Sequence, residues 1–427
     1  MTAVRLALAA FGVAVLLSNS RADDNPLRDE LLKLNSVTGD DAVRDKLRAL
    51  AKDKAKAKKL VAEAAAMVKD AKGKDNPFKY NGAVIVARLA HFTKEYDTAE
   101  PFYKYMVETA TKLKSGSKIV ESNEGLIDLY FDTKKYAKAA EVCEKFVDTL
   151  GPEEVEDAKP FVLEKLAQAK AKQEKFDEAL RLADLLIEAD GGGWYFRQTK
   201  GWVLREQGKL DAAIDAYTDS LEKIEANKGL KGETKDRFKD RTRYILTGLY
   251  VDNKQIDKAA KELQTLIKRN PENPTYKNDL GFIWCDHDQN LDESEKLIRE
   301  AIDLDVKAQE KAKKEGKIDE VKPSAAYADS LGWVLYKKKK YKEALVELKK
   351  AAADEDEGNH LEIWDHLADC YMALDQKKDA IAMWQKALEF DDISKRDVSR
   401  REAVIAKLKK EGVEPKVTPK KKDKKID

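Results

Sequence analysis

Apolar residues recur along most of this chain at helical spacing, and short polar runs interrupt them at regular intervals. In LYFDTKKYAKAAEVCEKF (129–146), LYVDNKQIDKAAKELQTL (249–266) and LYKKKKYKEALVELKKA (335–351), a large residue closes one apolar stripe. A polar turn follows, and a second stripe then opens on a bulky residue and a small one. HFTKEYDTAEPFYKYM (91–106), AKQEKFDEALRLADLL (171–186), REQGKLDAAIDAYTDS (205–220) and ALDQKKDAIAMWQKA (373–387) follow the same pattern. The small residues anchoring each second stripe are Ala99, Ala139, Ala179, Ala213, Ala259, Ser294, Ala344 and Ala380, separated by 40, 40, 34, 46, 35, 50 and 36 positions. A unit of 34 to 36 residues, with insertions at 151–160, 227–236 and 306–323, accounts for that series.

The pattern predicts helix–turn–helix units that cannot stand alone. A glycine or alanine where two helices cross lets their backbones approach, and large residues beside it fill the groove. A single unit leaves an apolar face uncovered, so stacking on its neighbours completes the core.

The units resemble tetratricopeptide repeats. Leu280, Gly281 and Trp284, and likewise Leu331, Gly332 and Leu335, carry the first-helix element, and Trp364, Leu367, Ala368 and Tyr371 carry it whole with alanine for glycine. The second helix is carried by Ala213 with Tyr217, Ala259 with Leu263 and Ala380 with Trp384, and Pro271 stands where a unit ends. The resemblance implies an all-α, right-handed superhelical solenoid of about eight units with helical caps, spanning 76–392. A helical segment or degenerate repeat is expected over 23–75, a capping helix with a polar outer face over 393–412, and a disordered basic tail over 413–427. It also implies a partner-binding concave groove lined by first helices. Its spacing selects Tyr195, Gln198, Trp202, Arg241, Tyr244, Asn278, Asp279, Phe282, Asp329, Trp333, Tyr336, Asp365, His366 and Asp369. Trp202 and Trp333 could equally pack between neighbouring units. A clamp for an acidic chain terminus needs Lys and Asn pairs that this sequence lacks, so the acidic last units favour a neutral or basic protein segment.

Composition narrows the setting. Charged residues make up 38% of the 427 positions, with 81 basic against 80 acidic, and this balance argues against nucleic acid as a partner. Residues 1–22 read as an export signal: Arg5, an apolar run over 6–18 too short to span a bilayer, then Ser20 and Ala22 at cleavage spacing. The mature chain is expected to begin near Asp23, without a transmembrane span, in the periplasm or outside the cell. Assembly of envelope proteins is the natural role for a scaffold at that address. Loss of Arg5 and Arg21 takes the formal charge from +1 to −1.

Candidate chemistry concentrates in FIWCDHDQNLDESEK (282–296), where Asp286, Asp288, Asn290 and Asp292 occupy alternate places of a calcium-loop pattern. Leu291 and Leu297 stand where that loop needs glycine and glutamate, and the sibling units place the stretch at an inter-helix turn, here one residue longer than elsewhere. The alternative function is a metal-binding protein or metal-dependent enzyme using Cys285, His287, His366 and Cys370, the last two four apart on one helical face. No phosphate loop, nucleophile elbow or paired-histidine zinc motif is present. The expectation is recognition without turnover, no catalytic residue, no cofactor and no metal.

Overall fold

The computed structural model describes residues 25–71, 76–149, 151–355, 357–390 and 395–416. The expected export signal (1–22) and most of the expected basic tail (417–427) lie outside the described residues. Among the described residues there are twenty α-helices, one short 3-10 turn and no strand. The chain divides between Leu186 and Ile187 into two compact units, where the sequence suggested one array over 76–392.

Unit 1 opens with α1 (Pro26–Lys33), α2 (Asp40–Ala51) and α3 (Lys54–Asp70), the expected helical lead-in. The pairs α4 (Tyr80–Phe92) with α5 (Tyr96–Leu113) and α6 (Gly116–Asp132) with α7 (Tyr136–Val147) follow, then α8 (Glu153–Lys172) and α9 (Phe176–Ala189), the last crossing the unit boundary. Unit 2 contains α10 (Tyr195–Gln207) with α11 (Leu210–Ala226), α12 (Gly232–Asp252) with α13 (Ile256–Arg269), and α14 (Pro274–Asp286) with α15 (Leu291–Lys314). It continues with α16 (Ala325–Lys337) and α17 (Tyr341–Ala352), then α18 (Leu361–Ala373) and α19 (Lys377–Ala387), and closes on α20 (Lys395–Lys410). The sequence insertions lengthen α8, α12 and α15 to 20, 21 and 24 residues, and the third also leaves a non-helical connection over 315–324.

One backbone device joins the two helices of every pair. Lys94, Lys134, Glu174, Gly208, Lys254, Asp288, Lys339 and Asp375 all take a left-handed conformation, with φ between 55° and 85°. The next residue's N–H then donates to the carbonyl five positions back, at 2.7–3.0 Å, as from Gln289 to Trp284 and from Lys135 to Tyr130. This closes the first helix and turns the chain without a loop. Only Gly208 is spared the Cβ clash of that conformation, which costs on the order of 1 kcal/mol for an L-residue. The extra residue of the 286–291 turn is Asn290, which also takes left-handed backbone at φ 46° and so absorbs the added length.

Small residues then set the helix separation. A Cβ built on Gly332 would lie 2.5 Å from Leu348 Cγ, and one on Gly281 would lie 2.7 Å from Ile298 Cγ1. Gly201 meets the Tyr217 ring in the same way, at 2.7 Å. In each case a first-helix glycine receives a large second-helix side chain.

Neighbouring pairs are clasped by a carboxylate just past the small anchor. Glu100 accepts from Lys135 and Lys104 at 3.0 and 2.9 Å and from the Tyr130 hydroxyl at 3.0 Å. Glu295, at the equivalent place in α15, accepts from Lys338 at 2.7 Å and from Arg299 at 2.8 Å. Burial pushes both carboxyls up, but these hydrogen bonds outweigh it and hold each pKa down at about 2.

In unit 2, α14 packs on α16 and α16 on α18, whereas among the second helices no neighbouring pair packs to that extent. Over α14, α16 and α18 the first helices therefore form the tighter, inner layer. Leu348 is fully buried and cannot swing aside, so Gly332→Ala is expected to lower the unfolding free energy of unit 2 by about 1–3 kcal/mol, measured by denaturant titration.

Candidate functional site

The expected groove residues of unit 2 separate into two neighbourhoods. Toward α10, the amide of Gln198 donates to Ser220 Oγ and Thr242 Oγ1 at 3.2 and 3.0 Å, and the Tyr244 hydroxyl donates to Asp279 Oδ2 at 2.7 Å. Tyr195, Arg241 and Tyr244 are exposed, Trp202 and Asp279 half-buried, and Asn278 buried with its carbonyl oxygen unpartnered. Burial raises the Asp279 carboxyl against the lowering effect of hydrogen bonds from Tyr244 and Asn278.

Toward α18, the residues are not an open lining. Asp329, Trp333, Asp365 and His366 are all buried, with His366 fully so, while Phe282, Tyr336 and Asp369 are half-buried. The rings of Tyr336, Trp333 and His366 stack in series, with centroids 4.8 and 4.0 Å apart and planes within 11° of parallel. Trp333 Nε1–H donates to Asp286 Oδ1 at 3.1 Å, tying α16 to α14. Trp333 thus packs between neighbouring pairs and does not present its face to a ligand.

The largest departure from expectation is α20. A cap with an outward polar face was expected, and Val404 and Leu408 do bury against α18 and α19. Glu402, Lys409 and Lys410 are exposed as expected, but three other basic residues reach carboxylates of the first helices. Lys407 Nζ donates to Asp365 Oδ1 and Asp369 Oδ2, both at 2.7 Å, and Trp384 Nε1–H donates to the same two carboxylates at 3.1 and 3.2 Å. Arg400 donates to Glu362, to Asp365 Oδ2 at 3.4 Å and to His366 Nε2 at 3.2 Å. Arg396 reaches Asp252 Oδ1 on α12 at 2.7 Å, a carboxylate that also holds Arg205 of α10 at 2.8 Å. The last helix therefore packs on α18 and α19 and reaches α12 through Arg396. Residues 413–416, expected to begin a disordered tail, are tied to α19: Gln385 donates to the Glu414 carbonyl at 3.0 Å and accepts from Lys416 N–H at 2.8 Å.

This arrangement sets the protonation of the buried histidine. A guanidinium can only donate, so Nε2 of His366 accepts from Arg400 and Nδ1–H donates to the Asp329 carboxylate at 3.0 Å. Burial opposes the charged form of His366, but the neighbouring Asp329 outweighs it and the net direction is upward. A proton gained at Nε2 would face the Arg400 N–H and break that contact. Asp369 is pushed up by burial and by the nearby Asp365 carboxylate, against the lowering effect of Lys407.

The metal alternative does not assemble. Among the described residues no group of three or more His, Cys, Asp or Glu side chains could hold a metal ion. Both His366 nitrogens are engaged, the Cys370 thiol donates to the Tyr341 carbonyl at 3.3 Å, and Nδ1–H of His287 turns back to the Ile283 carbonyl at 2.9 Å. Burial raises the Cys285 and Cys370 thiols to about 12 and about 11, away from the thiolate a metal needs. The calcium-loop carboxylates are spent on lysines of the next pair, Asp288 on Lys337 at 2.9 Å and Asp292 on Lys338 at 2.6 Å. No helix among the described residues is long and apolar enough to cross a membrane.

Comparison with known proteins agrees with this architecture. Tetratricopeptide-repeat models match residues 164–227, 249–308 and 361–393. The structure of yeast Tom70 is similar over 90% of this chain and 79% of its own, at 15% identity and a TM-score of 0.50. A tetratricopeptide repeat protein from Parabacteroides merdae is similar over 71% of this chain and 98% of its own, at 13% identity and a TM-score of 0.46. No curated protein matches the sequence. The segments 164–227, 249–308 and 361–393 are thus similar to tetratricopeptide repeats, and the fold is an all-α repeat solenoid, an architecture that supports scaffolds for protein–protein interaction. The pairs α4–α5, α6–α7 and α16–α17 fall outside the matched segments yet make the same left-handed turn.

Arg396, Arg400 and Lys407 were not among the expected site residues, although their spacing places them on one face of α20. Lys407→Met would leave Asp369 without its cation and Asp365 with only the longer contact to Arg400. The variant is expected to lose about 1–3 kcal/mol at pH 7. Because Asp369 is already raised above its unfolded value, its protonated form favours the fold. The loss should shrink as pH falls through the carboxyl range, as read from thermal unfolding between pH 7 and 4.

Proposed function

We propose that the protein is an exported scaffold that holds a protein partner by a basic or neutral segment laid on the inner helices of unit 2. The observation that carries this reading is the double carboxylate of Asp365 and Asp369, buried and half-buried, gripping a lysine ammonium at 2.7 Å. Asp252, Asp286, Asp329 and Glu362 extend the acidic character along α12, α14, α16 and α18. A row of carboxylates on rigid, stacked helices discriminates by charge: it attracts lysine and arginine side chains and repels an acidic terminus. The exposed Tyr195 and Tyr244 at the other end add large rigid contact surfaces that bind at low entropic cost. The periplasm or the extracellular space, with envelope protein assembly as the task, follows from the signal-like residues 1–22.

Titration with fluorescent peptides of equal length checks the binding. A Lys/Arg-rich helical peptide should bind and a Glu/Asp-rich one should not. Asp365→Asn with Asp369→Asn should weaken the basic peptide at least tenfold, and equal binding of both peptides would remove the basis for charge recognition. For the address, N-terminal sequencing of protein recovered from the cell exterior or periplasm should begin near Asp23. Retention in the cytoplasm with Met1 intact would dismiss export.

A further inference from the structure

The acidic inner face of unit 2 is already occupied by α20, and the chemistry of that contact identifies what else fits there. Arg396, Arg400 and Lys407 stand at positions i, i+4 and i+11, which at about 100° per residue fall within an arc of about 40°. Val404 and Leu408, at i+8 and i+12, form an adjoining apolar strip that meets Leu361, Ala368, Trp384 and Leu388. We propose that α20 is a tethered ligand, and that the face beneath it accepts in trans a partner's amphipathic helix bearing the same basic and apolar stripes, which displaces α20. This deepens the charge-recognition function proposed above and rests on it.

Three observations carry the proposal. The first is complementarity: each of the three cations meets at least one carboxylate, and the carboxylates come from two different helices, α12 and α18. The second is the makeup of the contact. Among the described side chains of α20 only Val404, Leu408 and Asp397 are buried, with Ile405 packed partly against the same core and Arg401 donating to the Leu388 and Phe390 carbonyls; the apolar strip is narrow, and the remaining contacts include ion pairs that another basic helix can make in their place. Stripping α20 away would leave Asp365 and Asp369 without a cation, held only by the Trp384 N–H, and a partner helix that supplies two cations restores the charge pairing. The third is incomplete coverage. Beside Lys407 an open cleft of about 300 Å³, floored by Tyr336, Met372 and Trp384, remains between α20 and the inner helices, room for an additional partner side chain.

The groups facing the exchangeable cations are Asp252 from α12, Glu362, Asp365, His366 and Asp369 from α18, and Asp286 and Asp329 within the field of Arg400 from α14 and α16. Burial opposes the charge on Arg400, and Glu362, Asp365, Asp286 and Asp329 outweigh it, so the guanidinium is held charged in place. A basic helix entering in trans would meet the same field.

The probe is a fluorescein-labelled peptide of residues 395–412, offered to the full-length protein. An intramolecular helix competes at an effective concentration on the order of millimolar, so the peptide should bind wild type weakly. It should bind R396A/R400A/K407A at least tenfold more tightly, and the same peptide with those three positions as alanine should bind neither protein. Hydrogen exchange on unaltered wild-type protein gives a second reading that does not depend on the variant folding: saturating peptide should accelerate exchange of the chain's own 395–410 amides. Peptide binding with unchanged 395–410 exchange and equal affinity for both proteins would make α20 a fixed cap and overturn the exchange, while leaving charge recognition standing. No peptide binding to either protein, and no change in exchange, would overturn both.

Discussion

Every helix pair in this protein depends on a single residue held in left-handed backbone at the end of its first helix. That conformation is unfavourable for the lysines, glutamate and aspartates that adopt it at seven of the eight turns, so it persists only because the following N–H recovers a carbonyl five residues back and the two helices then close on each other. The small-residue contacts follow from that closure. Gly281 against Ile298 and Gly332 against Leu348 fix how near the helices come, and the Glu100 and Glu295 clasps fix how one pair follows the next. A lengthened turn is tolerated where a second left-handed residue, Asn290, takes up the slack.

Stacking fixed pairs in this way brings α14, α16 and α18 together and leaves carboxylates of α12 and α18 within reach of one helix. Carboxylates crowded there need counter-charges, and the chain supplies them from its own last helix. The Tyr336–Trp333–His366 stack lies beneath this contact and couples it to the core, since His366 touches Arg400 at one nitrogen and Asp329 at the other. The contacts that neutralise these carboxylates are thus also the ones that hold the C-terminal end of unit 2 together.

The periodic spacing of apolar positions, the small anchors and the polar interruptions were enough to read eight helix–turn–helix pairs, because helical period and close packing are local properties of a chain. They also placed Asp288 in a turn, although Asp286 closes α14 and Asp292 stands in the first turn of α15. The acidic character of the last units was likewise visible residue by residue.

What occupies those carboxylates was decided only in three dimensions. Lys337 and Lys338 reach Asp288 and Asp292 from the next pair, and Arg400 and Lys407 come from more than thirty positions away to Asp365. No period in the sequence relates such partners. Trp333 and His366 were legible as first-helix residues, but whether they faced a ligand or a neighbour depended on how closely α14, α16 and α18 packed. Local spacing determined the elements and their order; long-range charge pairing and helix stacking, which act between segments that the sequence does not register against each other, decided which of their faces are open.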